Sequence, residues 1–136
     1  MTHQGTEPLR RSASLTVVAA AFAADAALVV LFAGLGRSEH SRAATLAGLV
    51  ETAWPFLAGL AIAWIAALAW RAPLAVVRAG IPVWIGAVAL GMLLRALTGA
   101  GTALPFVIVA TLTLGVFLLG WRTLVALVSR LRSAKR

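Results

Sequence analysis

Four long apolar runs constrain this chain more than any other feature of its sequence. They cover residues 15–35, 53–70, 79–97 and 103–121. Each is close to the length of about 20 helical residues that crosses the hydrocarbon core of a bilayer. Strands of a membrane barrel would instead alternate apolar and polar residues over about ten positions. The runs therefore predict an all-α fold, an integral membrane bundle of four transmembrane helices.

The composition supports a membrane environment. The chain has 136 residues, of which 62% are hydrophobic and only 12% charged, whereas soluble domains are about a quarter charged. A soluble globule of this size could not cover so much apolar surface. The absence of cysteine excludes disulfides and thiolate metal sites. The net charge of +8 lies mainly between the apolar runs, where lipid head groups and topology explain it, so we expect no nucleic-acid partner.

Proline and glycine mark the ends of the predicted spans. Pro55, Pro82 and Pro105 each fall in the first turn of a span, where the missing N–H costs little. Gly99 and Gly101 lie between the third and fourth spans and favour a tight hairpin.

The segment between the first two spans has a weaker helical pattern. Ser41 is a candidate N-cap for a helix that places Leu46, Leu49 and Val50 on one face. Two interpretations remain open: a short helix at the outer surface, or an extension of the second span with a bend before Pro55.

The distribution of Lys and Arg predicts the orientation. The side that holds the loop after the first span has Arg37 and Arg42, with Arg95 close by. The other side has nine, namely Arg10, Arg11, Arg71, Arg78, Arg122, Arg130, Arg132, Lys135 and Arg136. This asymmetry predicts that both termini are cytoplasmic, as tails of residues 1–14 and 129–136, the second beside anionic lipids of the inner leaflet. The tryptophans then form an inner belt of Trp70, Trp84 and Trp121, and Trp54 lies at the outer face.

A cleaved signal peptide is the alternative to a first transmembrane helix. Arg10 and Arg11 precede the run, and Ala21-Phe22-Ala23 resembles a cleavage site. The apolar run continues through Ala33, beyond the about 7–15 residues of a signal core, so we expect an uncleaved helix. Arginine supplies eleven of the twelve basic residues, a bias typical of GC-rich bacterial genomes, and we expect a bacterial cytoplasmic membrane.

Asp25 is the polar residue that most needs an explanation. It lies ten residues into the first span, about 15 Å deep, where a charged Asp costs about 2.5–3.5 kcal/mol. The same depth count brings Trp64, Thr111 and Thr113 to its level, although the two threonines face nearly opposite ways and at most one can meet it. Asp25 either marks an ion, proton or substrate path with these residues, or is protonated and ties helices together through hydrogen bonds.

A second group of polar residues predicts an outer vestibule. Arg95 is only about 3 Å from the outer end of its span and about 12 Å from the level of Asp25, so we expect it to extend outward rather than pair with Asp25. It joins the one region of the sequence with both charge signs near a span, formed by Arg37, Glu39, His40, Arg42, Glu51 and Thr52. The alternative is a solvated rim of weak ion pairs.

These residues do not form a recognisable catalytic or cofactor site. His40 beside Glu39 lacks the spacing of metal ligands, and His40 and Met92 are the only non-terminal candidates for haem ligands. The sequence has no phosphate loop, nucleophile elbow or paired catalytic carboxylates. We expect no metal, no other cofactor and no enzymatic activity.

The chain resembles a bacterial family of four-helix membrane proteins catalogued as domain of unknown function 3054, over residues 15–125. The similar residues are Asp25, Gly36-Arg37, His40, the stretch Glu51-Thr52-Ala53-Trp54-Pro55-Phe56-Leu57-Ala58-Gly59, Gly91-Met92-Leu93-Leu94-Arg95, Gly99-Ala100-Gly101-Thr102, Phe106-Val107 and Leu119-Gly120-Trp121-Arg122. The resemblance implies a membrane fold without an established activity, and it directs attention to Asp25, Arg37, His40, Thr52 and Arg95.

Two functions remain open from the sequence. The first is a small transporter or channel-like protein for an ion or small polar solute that uses Asp25 at mid-membrane below the vestibule. The second is a non-catalytic accessory or scaffold protein. The strong charge asymmetry disfavours an antiparallel dimer, and leaves a parallel homo-oligomer or an unidentified membrane partner as the associations to consider.

Overall fold

The structure, a computed structural model, describes residues 13–38 and 45–136. Four α-helices account for most of these residues: α1 (Leu15–Ser38), α2 (Leu46–Ala66), α3 (Ile81–Leu97) and α4 (Leu104–Ala134). The connection between α2 and α3 contains a 3₁₀ turn, Ala69–Arg71, and a short π-helical segment, Val76–Gly80, that leads into α3. The described part of the chain contains no strand.

The four helices confirm the predicted fold. Each one, with the π-helical segment added to α3, is long and apolar enough to cross a membrane. Sequential helices are neighbours, α4 returns to pack against α1, and α2 and α3 form the most closely packed pair. The result is an all-α bundle in which one end carries the α1–α2 and α3–α4 connections and the other carries the α2–α3 connection.

The second helix begins earlier than the apolar run indicates. The Thr45 side chain caps α2 by accepting a hydrogen bond from the backbone N–H of Gly48 at 3.1 Å. Pro55 therefore lies inside α2, and the prediction that it occupies the first turn is wrong. The polar pair Glu51 and Thr52 ends the apolar run but not the helix, because these residues line a cavity at the end of the bundle. Of the two interpretations of this segment, the start of α2 at Leu46 agrees with an extension of the second span. Ser41, the predicted N-cap, lies outside the described residues.

The other two prolines and the hairpin glycines lie where the sequence predicts. Pro82 and Pro105 occupy the first turns of α3 and α4. Gly99 and Gly101 adopt φ angles of 72° and 76°, in the left-handed region that glycine enters without strain. These residues allow the short connection that returns the chain from α3 to α4.

The fourth helix is longer than a membrane span requires. Its 31 residues correspond to about 46 Å, against a hydrocarbon core of about 30 Å. Most of the segment predicted as a basic tail, residues 129–136, is thus a continuation of α4, which ends at Ala134. The basic side chains of this segment are carried on a regular helix, which fixes the faces on which they lie.

The cytoplasmic location of both termini stays a prediction, and the structure changes the count on which it depends. Arg122 is completely buried and contributes nothing to the surface charge, so nine basic residues become eight. Eight against two or three still favours the same orientation. Reporter enzymes fused to either end should both be active in the cytoplasm, and periplasmic activity of a reporter after Arg136 would contradict the assignment.

Candidate functional site

Asp25 is fully buried in a cluster of hydrogen-bond donors, here called the carboxylate cage. Its side chain and that of Arg122 are both 0% exposed. The guanidinium donates from Nη1 to Oδ1 at 2.8 Å and from Nη2 to Oδ2 at 2.7 Å, a bidentate ion pair. The indole of Trp64 donates to Oδ2 and that of Trp121 donates to Oδ1, both at 2.8 Å. The cage therefore joins α1, α2 and α4 through one carboxylate.

The hydrogen-bonding capacity of the Asp25 carboxylate is filled by these partners. An ionised carboxylate offers about four lone-pair positions, two on each oxygen. Each oxygen of Asp25 accepts one guanidinium and one indole N–H. An incoming cation or proton would thus compete with four existing hydrogen bonds. This arrangement fits a fixed counter-charge better than an open ion-binding site.

Arg122 also attaches the connection between α2 and α3 to the bundle. Its Nε donates to the carbonyl of Pro73 at 2.9 Å, and its Nη1 donates to the carbonyl of Leu118 at 2.9 Å. Gly80 provides the space for this side chain, since a Cβ at that position would lie 3.1 Å from the Arg122 Cδ. The guanidinium carbon also lies 4.6 Å from the centre of the Trp121 ring, a distance suited to cation–π attraction.

The cage lies closer to the α2–α3 end of the bundle than to the middle. Asp25 is about 15 Å from the start of α1, but Arg122 and Trp64 are each about 27 Å from the starts of α4 and α2. The contact between Arg122 and Pro73 ties the cage directly to that end. Asp25 therefore lies nearer to the α2–α3 end of the bundle than the predicted mid-membrane depth implies.

The structure separates the residues that depth alone had grouped with Asp25. The predicted contact between Trp64 and Asp25 is confirmed. Neither threonine belongs to the cage: the Thr111 hydroxyl donates to the carbonyl of Val107 within its own helix, and Thr113 is not among the partners of Asp25. Depth gives the level of a residue along the axis but not the face on which it lies. A role for these residues in ion passage stays a prediction.

Arg122 and Trp121 are the members of the cage that the sequence reasoning missed. Both stand at the end of the predicted fourth span, so they were assigned to a topology signal and an aromatic belt. The sequence nevertheless indicates that Arg122 lies within an apolar run, because six mostly apolar residues, Thr123 to Val128, follow it. An arginine inside an apolar run needs a partner, and Asp25 is the one acidic residue within the four spans predicted from the sequence.

The opposite end of the bundle contains a cavity of about 560 Å³ that is lined by both charged and apolar side chains. We call it the vestibule. Among its lining residues are four of the predicted ones, Arg37, Glu51, Thr52 and Arg95. Glu39, His40 and Arg42 lie outside the described residues. The structure thus brings these four residues together at one cavity, away from the cage, and their role as an outer vestibule stays a prediction.

Hydrogen bonds hold Arg95 in place at the vestibule. The Arg95 Nη2 and Nε donate to the carbonyls of Ala100 and Gly101 at 2.8 and 3.2 Å, and its guanidinium lies 4.3 Å from the centre of the Phe106 ring. These contacts attach it to the α3–α4 connection.

Arg37 is positioned against α2 in a similar way. Its Nη1 donates to the Thr52 hydroxyl at 3.3 Å. Its guanidinium packs directly on the backbone of Gly48, where a Cβ would overlap it. Two positively charged groups are therefore positioned in advance within one cavity that also contains the Thr52 hydroxyl and the Glu51 carboxylate.

Three phenylalanine rings close the inner side of the vestibule. Phe32 and Phe106 line the cavity. Phe56 lies beside both, with ring centres 5.3 Å from Phe32 and 6.1 Å from Phe106. Between these rings and the cage, the interior is filled by fully buried side chains, among them Val29, Leu60 and Leu114. The vestibule and the cage are thus separated by an apolar layer about 10 Å thick, measured from Phe32 to Asp25 along α1.

Comparison with known proteins identifies the family. A family model described as "Protein of unknown function (DUF3054)" matches residues 22–125, more than half of the chain. The chain belongs to the DUF3054 family. The matched region includes the carboxylate cage and the described residues of the vestibule, whereas the basic end of α4 lies beyond it. No curated protein and no solved structure matches the chain. The DUF3054 description gives no activity.

Proposed function

We propose that this multi-pass membrane protein is a small transporter or channel-like protein that takes up a small anion through the vestibule. The observation that carries the proposal is the presence of two positioned guanidinium groups, Arg37 and Arg95, in one cavity. Arginine donates in a planar fork that matches carboxylate and phosphate oxygens. The ligand class is therefore a small carboxylate, phosphate or similar oxyanion.

In this proposal the phenylalanine rings and the cage act as two closures in series. The rings of Phe32, Phe56 and Phe106 lie directly below the vestibule and have to separate before a solute passes. The cage then holds α1, α2 and α4 together at the far end. Asp25 serves here as a counter-charge for Arg122 rather than as the ion path, because its acceptor positions are already occupied.

Anion uptake into proteoliposomes tests the proposal. With acetate and inorganic phosphate as probes, Arg95→Gln should reduce uptake at least tenfold, since hydrogen bonds to charged groups contribute about 1.5–3 kcal/mol. Arg95→Lys should be intermediate, because Lys keeps the charge but not the planar fork. Arg132→Gln removes the same charge from the exposed end of α4 and is the matched control. Uptake equal to that of protein-free vesicles, or unchanged in Arg95→Gln, would contradict the proposal.

An accessory or scaffold role is the second candidate, and the filled hydrogen-bonding capacity of Asp25 favours it. A cage in which every acceptor position is used needs no ligand to explain it. On this hypothesis the vestibule arginines contact a partner instead of a solute. The two roles are separated by the same experiment, because a scaffold gives no uptake of either probe.

A further inference from the structure

The outer face of α4 contains an open apolar groove that the proposed function does not use. Its volume is about 800 Å³. Leu28 of α1 and Trp84 of α3 form its walls, and its floor is α4 from Thr111 to Leu124. Along the helix axis this floor measures about 20 Å. The shape and polarity suit an extended hydrocarbon chain.

Two glycines make the groove concave. A Cβ at Gly120 would meet nothing within 4 Å, so the position is open to whatever fills the groove. At Gly115 a Cβ would lie 3.0 Å from the ring of Trp84, which shows that this indole packs directly on the α4 backbone. The Trp84 side chain is fixed there by donating to the carbonyl of Thr111 at 2.9 Å.

The end of α4 supplies a charge next to the groove. Arg130 lies seven residues after Thr123, almost two full turns, and so stands on the same face of the helix as the groove. It is exposed and about 9 Å beyond Leu124. Arg132 is nine residues after Thr123 and faces the opposite side. The sequence has no Asp or Glu after Glu51, so no acidic residue of α4 neutralises this end.

We propose that the groove binds one acyl chain of an anionic phospholipid whose phosphate lies at Arg130. Leu124 and Leu127, 63% and 51% exposed, continue the apolar surface from the groove toward Arg130. A second copy of the chain fits this face poorly. Parallel packing of two α4 helices along it would bring the Arg130 side chains of both chains together, and like charges disfavour such contacts. Charge complementarity thus selects an anionic lipid.

Tryptophan fluorescence provides a direct test, since Trp84 and Trp121 both line the groove. The exposed Trp54 and Trp70 are replaced by Phe, and the buried Trp64 remains as an internal reference. The protein is reconstituted into phosphatidylcholine vesicles that contain a minor share of either brominated phosphatidylglycerol or brominated phosphatidylcholine. Bromine quenches an indole only at close range. We expect the anionic lipid to be enriched roughly fivefold at the groove, the preference that one Arg near the surface contributes.

Three variants distinguish a site from general surface charge. Arg130→Gln should abolish the preference for phosphatidylglycerol, while Arg132→Gln, with the same net charge on the opposite face, should keep it. Gly120→Leu fills the groove and should reduce quenching by both lipids. Equal quenching by the two lipids in the parent protein would overturn the proposal. So would equal effects of the two arginine substitutions, or quenching unchanged by Gly120→Leu.

Discussion

Arg122→Leu is expected to lower the free energy of unfolding by about 3–5 kcal/mol, the cost of leaving a buried charge without its partner. Asp25 is 0% exposed and would keep only its two indole donors. Reversible unfolding in lipid–detergent micelles measures the loss. Arg71→Leu removes an exposed arginine from the same end of the bundle and should change stability by no more than about 0.5 kcal/mol.

The double variant Asp25→Asn/Arg122→Leu identifies the origin of that loss. It removes both charges and keeps an amide oxygen that can accept from an indole. Because an unpaired buried charge costs more than an absent pair, the double variant should be more stable than Arg122→Leu alone. A double variant destabilised by the sum of the two single losses would show that the two residues are not energetically coupled.

Gly91→Ala is expected to destabilise the bundle by about 1–3 kcal/mol through overpacking. Gly91 is buried in α3, and a Cβ there would overlap the ring of Phe56 on α2. Gly59 makes a similarly close approach from the other helix, with a Cβ only 3.0 Å from the Ala87 carbonyl oxygen. The close packing of α2 against α3 thus depends on glycine at positions 59 and 91.

Gly120→Ala is the matched control for this prediction. Its Cβ would meet nothing within 4 Å, while both substitutions gain the same helix propensity of about 1 kcal/mol. Gly120→Ala should therefore be neutral or stabilising in the same unfolding measurement. Equal stabilities of the two variants would mean that α2 and α3 do not pack as closely as described.

The four helices could be predicted because their length and apolarity are properties of local sequence. The ends of the helices were harder to predict where a helix continues through polar residues. Glu51 and Thr52 interrupt the apolar run, but α2 continues through them to Leu46 because they lie at a cavity and not in lipid. Similarly, α4 continues to Ala134 through a charged segment that helical propensity permits.

The site was predictable only in part, because depth along a helix does not determine which faces meet. Depth placed Trp64 with Asp25 correctly, but it also selected Thr111, whose hydroxyl bonds to its own helix. Arg122 was missed because it follows the predicted span directly and was therefore counted among the basic residues that predict the orientation. The apolar residues after it were the sign that it lies within the bundle.

The vestibule was predicted from its clustered charges, and the layer that closes it was not. Phe32, Phe56 and Phe106 are separated by 24 and 50 residues along the chain, and each is an ordinary apolar residue of its span. Only the packing of α1, α2 and α4 brings the three rings together.

The most direct test of the account compares Asp25→Asn with Arg95→Gln in two assays, stability and anion uptake. In the proposed function the carboxylate cage holds the bundle together and the vestibule binds the solute. Asp25→Asn should therefore lower the free energy of unfolding and, below its unfolding temperature, retain uptake of acetate or phosphate. Arg95→Gln should lose less stability than Asp25→Asn, because Arg95 is only partly buried whereas Asp25 is fully buried, and it should lose uptake. Loss of uptake in Asp25→Asn at unchanged stability would contradict this division and make Asp25 the ion path.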